Sequence, residues 1–166
     1  MSRTLAFLAL LLLSACGFSP MYGSAATGKD GVSAKAGLDN VDIALIPDQE
    51  GVYLRNILID HFYQGGYPSS PAYLLTVEKI QEQESDLDIT IESEATRKQI
   101  RLYANIRLVD KKDGKEVMMR RLTSLTSYNV LGSQFTTRVS KSDAREAALT
   151  DLARQIENQV ALYFKR

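Results

Sequence analysis

The chain reads as an α+β two-layer sandwich, with two helices packed on one face of a mostly antiparallel four-stranded sheet. Three observations lead there. Residues 99–110 carry apolar side chains at every second position from Ile100 to Leu108, the period-two signature of a strand with one covered face. Two other segments, 52–63 and 140–164, carry apolar residues three and four apart, as a helix lying on a sheet does. The order strand, helix, strands, helix then closes one core between two layers.

The first 15 residues stand apart from that domain. A basic start, Met1-Ser2-Arg3, precedes an apolar run from Leu5 to Leu13 and the small residues Ser14-Ala15. This is the layout of a secretory signal. The nine apolar residues are too few to span hydrocarbon, which takes about 20. Cys16, the only cysteine, follows directly. Leu13-Ser14-Ala15-Cys16 resembles the lipobox of bacterial lipoproteins, in which the cysteine is lipidated and becomes the first mature residue. Residues 1–15 are therefore assigned to a lipoprotein-type signal peptide, and the mature chain has 166 − 15 = 151 residues. A covalent lipid on Cys16 is the one attached group expected; no other cofactor and no metal is. Residues 16–40, rich in Gly, Ser, Ala and Lys, are assigned to the lipidated cysteine and a flexible tether. A single domain occupies 41–166, a length suited to one core.

Val41, Ile43 and Leu45 alternate with Asp42 and Ala44 until Pro47 ends a first strand. Leu54, Ile57, Leu58 and Phe62 make one face of a helix over Val52–Tyr63, which Gly65-Gly66 terminates. Tyr73, Leu75 and Val77 share a face of a second strand running to Gln83. Period two resumes at Leu87, Ile89 and Ile91, so the polar stretch Glu82–Ser85 is either a bulge in one long strand or a turn. In the central strand Ile100, Leu102, Ala104, Ile106 and Leu108 face in. Asp113-Gly114 suits a hairpin turn, and Glu116–Tyr128 returns. Residues 129–139 read as a loop. Ser140 and Asp143 are spaced as a capping box, and Leu149, Leu152, Ile156, Val160 and Tyr163 stripe the last helix to about Phe164.

Chemistry-bearing motifs are sparse. The 20 basic and 20 acidic residues balance, which argues against nucleic acid as a partner, since that binding runs on excess Lys and Arg. One cysteine allows no disulfide within the chain. His61 is the only histidine, so a metal site or a triad built on it lacks its second member. Asp86, Asp88, Glu92 and Glu94 read as a solvated strand face rather than a calcium site. The chain is read as non-enzymatic. The arginines and lysines draw more interest: Arg97, Lys98 and Arg101 open the central strand, Arg120 and Arg121 lie in the returning one, and Arg138 and Lys141 precede the last helix. Guanidinium groups grip phosphate in a two-pronged way.

Taken together the sequence resembles the LptE family of LPS-assembly lipoproteins in its alphaproteobacterial form. The resemblance rests on Cys16-Gly17-Phe18-Ser19-Pro20-Met21-Tyr22-Gly23, on the Arg97 to Asp110 strand ending in RLYANIRLVD, on Ser127-Tyr128-Asn129-Val130 and on Ser142-Asp143-Ala144-Arg145. It covers most of the chain. It implies a small sheet covered by two helices. It also implies an outer-membrane lipoprotein that plugs and helps assemble the LptD β-barrel and contacts lipopolysaccharide during its export. The partners implied are thus an LptD-type barrel, lipopolysaccharide and the outer membrane through the lipid anchor, with the domain on the periplasmic side or in the barrel lumen. By rough position, Arg97 or Lys98 and Arg138 correspond to the family's LPS-contacting basic residues. Gly17 stands where an aspartate would retain many lipoproteins in the inner membrane. A different reading, an auxiliary lipoprotein of a lipid-transport ABC system, predicts an inner-membrane permease or a periplasmic binding protein as partner instead.

Overall fold

A computed structural model of the chain describes residues 37–89 and 95–165. Residues 1–36, which hold the expected signal peptide, Cys16 and most of the expected tether, lie outside the described residues, as do Ile91, Glu92 and Glu94. A 3-10 turn at Leu38–Asn40 leads into β1 (Val41–Ile43), α1 (Asp48–Phe62), β2 (Tyr73–Val77), β3 (Gln81–Ile89), β4 (Ala95–Asp110), β5 (Glu116–Asn129) and α2 (Gln134–Phe164). Leu38 is already buried among the core residues, ahead of Val41.

The sheet is mixed and mostly antiparallel, with both helices contributing to the same core, as expected; its strands number five rather than four. β1 runs parallel to β2, and β2, β3 and β5 are each antiparallel to β4. The extra strand comes from an interruption. β2 and β3 follow one another along the same side of the 16-residue β4. Val77 stands opposite Ile106 and Gln81 opposite Tyr103, so residues 78–80 lie against only 104 and 105. One extra residue is a bulge, and the amide of Glu78 still donates to the Asn105 carbonyl at 3.0 Å. The irregularity therefore sits at 78–80, while Glu82–Ser85 is regular ladder.

Ile100, Leu102, Ala104, Ile106 and Leu108 are fully buried, and Leu54, Leu58, Phe62, Leu152, Ile156 and Val160 of the helices pack over them. The helix stripes and the period-two face thus meet as their spacings require. β1 is an edge strand, and α1 caps its free side. The Tyr63 hydroxyl accepts the Ile43 amide at 3.1 Å and donates to the Val41 carbonyl at 3.0 Å, while Arg55 Nε donates to the Ile43 carbonyl at 3.2 Å. Those groups would otherwise be an open template for strand pairing. Gly51 lets the chain before α1 fold back closely: a Cβ there would meet the Ile46 backbone at 2.7 Å.

The last helix begins at Gln134, not at Ser140, so residues 134–139 are helical rather than loop. No capping box at Ser140 is needed. Thr137 Oγ1 instead accepts the Leu131 amide at 2.9 Å and donates to the Leu131 carbonyl at 3.0 Å, fastening the start of the helix to the preceding turn. Thr136, Thr137 and Val139 are poor helix formers, which hides this turn from a reading by propensity.

Candidate functional site

Strand alternation splits the basic residues of β4 between two faces. Lys98 falls in step with Ile100 and Leu102 and points to the helix-covered side. Arg97 falls in step with Arg101, Tyr103 and Arg107 on the open side. Neighbours in sequence, Arg97 and Lys98 are not one cluster.

On the helix side, beyond the apolar core, Lys98 belongs to an ionic network. Glu82 and Glu84 stand opposite Leu102 and Ile100, so the bulge at 78–80 has carried them onto the inner face. Lys98 Nζ lies 3.3 Å from both Glu84 Oε1 and Asp86 Oδ1. Tyr128 donates to Glu84 Oε1 at 2.9 Å, and Lys141 of α2 pairs with Glu84 and lies 3.8 Å from Glu82. Arg145 donates from Nε and Nη2 to the two Glu82 oxygens at 2.6 and 3.0 Å. The hydrogen bonds from Arg145 hold the Glu82 carboxyl below the usual range. Burial pushes Glu84 the other way, but bonds from Lys141 and Tyr128 outweigh it and leave that carboxyl lowered too. Hydrogen bonds to Asp86 and then Glu84 raise Lys98. Burial, reinforced by Glu84, pushes the Tyr128 hydroxyl up to about 12. These charges neutralise one another and tie α2 to β3.

Arg97 and Arg138 are brought to one end of the domain. Arg97 pairs in register with Asn129, and the Val130 amide donates to the Thr96 carbonyl at 2.9 Å. Four residues later α2 begins, with Arg138 in its second turn. Arg97 is exposed and donates from Nε and Nη2 to Ser127 Oγ at 3.2 and 2.9 Å. Arg138 is exposed as well. The segment that follows, from 131 into the second turn of α2, carries apolar side chains in solvent beside Arg138: Leu131 at 49%, Phe135 at 73% and Val139 at 45% exposure. Phe135, Arg138 and Val139 are spaced to share one side of the helix. The apolar members of this tip were hidden in the sequence because residues 129–139 read as loop; a helical spacing of Phe135, Arg138 and Val139 was the available signal.

The remaining candidates have structural places. His61 Nδ1 lies 3.0 Å from Glu157 Oε2, bridging α1 and α2. Arg120 donates to the Met119 carbonyl at 2.7 Å. Asp86 meets Lys98, as above. A cleft of about 350 Å³ beside the start of α1 is lined by Asp48, Glu50, Lys79, Glu82 and Arg145, but Lys79 is paired with Asp48 and Arg145 with Glu82. Among the described residues no group of three or more His, Cys, Asp or Glu is placed to hold a metal ion, and no helix is long and apolar enough to cross a membrane.

Comparison with known proteins agrees with this architecture. The family described as LptE, lipopolysaccharide-assembly, matches residues 38–161. No curated protein matches the sequence. Among solved structures, a lipoprotein candidate from Caulobacter crescentus CB15 is 25% identical with a TM-score of 0.63, over 80% of this chain and 95% of that one. Rare lipoprotein B from Shewanella oneidensis is 10% identical with a TM-score of 0.58, over 73% and 92%. A minor lipoprotein from Acinetobacter baumannii is 20% identical with a TM-score of 0.56, over 74% and 91%. The last two share the fold alone.

Proposed function

The chain belongs to the LptE lipopolysaccharide-assembly family, and from that membership we propose that it is an outer-membrane lipoprotein, anchored through Cys16, that fills and helps assemble an LptD-type β-barrel and contacts lipopolysaccharide during export. Involvement in LPS assembly follows from the family itself. The finer reading is supported above all by the tip, where exposed Arg97 and Arg138 accompany Leu131, Phe135 and Val139. Lipopolysaccharide is an anionic head on acyl chains. Guanidinium groups beside apolar side chains match both halves of such a molecule.

The anchor fits the same role. Each buried CH₂ contributes about 0.8 kcal/mol, and one acyl chain alone binds only marginally, so the two or three chains of a lipoprotein cysteine hold firmly. A short linker then keeps the domain near its partner at high effective concentration. Affinity purification of the lipidated protein from membranes, with mass spectrometry of what accompanies it, tests the reading. The expected companion is a large β-barrel protein, whose folded form is lost when this protein is depleted. Recovery of an inner-membrane permease or a periplasmic binding protein in place of a barrel would overturn it in favour of an ABC-linked lipoprotein.

A further inference from the structure

The two faces of the sheet treat their cations differently. On the helix side Lys98, Lys141 and Arg145 all meet carboxylates. On the open side the only such pair from β4 among the described residues is Arg107 with Glu78, at 3.0 Å near one end. In the middle of that face, Arg101 and Arg121 have no carboxylate within ion-pair distance among the described residues. Arg101 donates to Gln99 Oε1 at 3.4 Å, and the Arg121 guanidinium lies over the Tyr103 ring, 4.7 Å from its centroid. Tyr103 is itself held by a hydrogen bond to Gln83 Oε1 at 3.2 Å. Tyr103 therefore stands between the two arginines, with exposed Leu125 opposite Arg101 in register and exposed Met119 opposite Arg107.

From this arrangement we infer that the open sheet face around Arg101, Tyr103 and Arg121 is a docking surface for a carboxylate-bearing protein wall. The inference rests on the barrel partnership proposed above and assigns the face that carboxylates of the barrel wall would meet. Its warrant is charge complementarity: two guanidinium groups on one face, neither paired with a carboxylate among the described residues, call for carboxylates from outside. Every cation that β4 and β5 present on this face is an arginine (97, 101, 107 and 121). Arg, Tyr and Met are the residues that protein interfaces enrich, while Lys is depleted there. The 350 Å³ cleft opens at the helix side instead, so the arginines line a sheet surface, which fits a protein wall better than a small anion.

The test uses the full-length lipidated protein carrying Arg101→Glu with Arg121→Glu. Both side chains are exposed, so circular dichroism should be unchanged. Recovery of the barrel in the pull-down should fall about tenfold or more, the effect of losing interface anchor residues, while LPS binding persists. A variant of equal charge change elsewhere, Lys112→Glu with Arg154→Glu, should recover the barrel as the unaltered protein does. Arg101→Gln with Arg121→Gln, which adds no charge, should give a smaller loss in the same direction. Full recovery by the Arg101/Arg121 variants, or equal loss by the matched-charge variant, overturns the docking surface. Loss of LPS binding with the barrel retained would reassign the face to an anionic amphiphile. If the unaltered protein recovers no barrel, the partnership itself fails.

Discussion

Arg145 and Glu82 are joined by two parallel hydrogen bonds, 2.6 and 3.0 Å long, that fasten the last helix to strand β3. The Glu82 carboxyl is held low by this pairing, and Glu84 beside it is lowered as well. A carboxyl that is more acidic in the folded state takes up protons more readily once unfolded. Its contribution is thus complete above the unfolded value of about 4.3 and is lost as pH falls through the lower native one. With side chains about a quarter exposed, the pair should contribute roughly 1 kcal/mol, above a surface bridge and below a buried one. Urea unfolding of the wild type should therefore weaken between pH 5 and about pH 3 more than that of Arg145→Met. Parallel losses in the two proteins would remove the latch from the account.

How far the sequence foretold this network depends on one residue. The alternation in β4 was legible at once, because Ile100 to Leu108 are apolar at every second position and all are buried. The same alternation, carried two residues back, already separates Lys98 from Arg97. The acidic strand was harder. Glu82, Glu84 and Asp86 alternate clearly, but which face they occupy turns on the extra residue at 78–80, where neither Gly nor Pro marks the bulge. A one-residue shift moves a whole strand's side chains to the other face. The start of the last helix escaped for another reason: Thr137 is fixed by bonds to Leu131, a contact that overrides weak local propensity.

Tyr63→Phe should uncap β1. The hydroxyl serves the Ile43 amide and the Val41 carbonyl together, and both are core residues. Removing it leaves a buried backbone donor and acceptor without partners, which costs about 1–3 kcal/mol. Denaturant unfolding should show that loss with little change in slope, and hydrogen exchange at the Ile43 amide should accelerate. An unaltered midpoint would mean that water or a neighbour replaces the hydroxyl.

The opposite orientation of Arg97 and Lys98 makes a paired prediction. Arg97→Glu with Arg138→Glu changes exposed side chains away from the core, so stability should move by no more than about 0.5 kcal/mol per site. Lipopolysaccharide binding should weaken about tenfold, roughly the loss of one charge-assisted contact. Lys98→Glu should do the reverse. It sets a third carboxylate against Glu84 and Asp86, lowering stability while leaving the tip intact. Isothermal titration with purified lipopolysaccharide, run beside thermal unfolding, separates the two. Unchanged binding in the Arg97/Arg138 variant would take both residues out of the contact.

Cys16→Ser should detach the protein from membranes without unfolding the domain, because the described core starts at Leu38. The geometry sharpens what detachment would mean. The chain enters the domain at Gly37, packed against Phe164 at the end of α2. Arg138 lies 26 residues back along that helix (164 − 138), about 39 Å away at 1.5 Å per residue. The segment between Cys16 and Gly37 holds 37 − 16 − 1 = 20 residues and reaches at most about 66–72 Å. The described chain thus enters the domain at the end of α2 away from the basic tip. Lipopolysaccharide binding by Cys16→Ser in detergent should match the wild type, whereas barrel recovery at native expression should drop. Restoring recovery by overexpression would assign the anchor to local concentration. Recovery that stays low at high expression would show that the anchor is required for assembly itself.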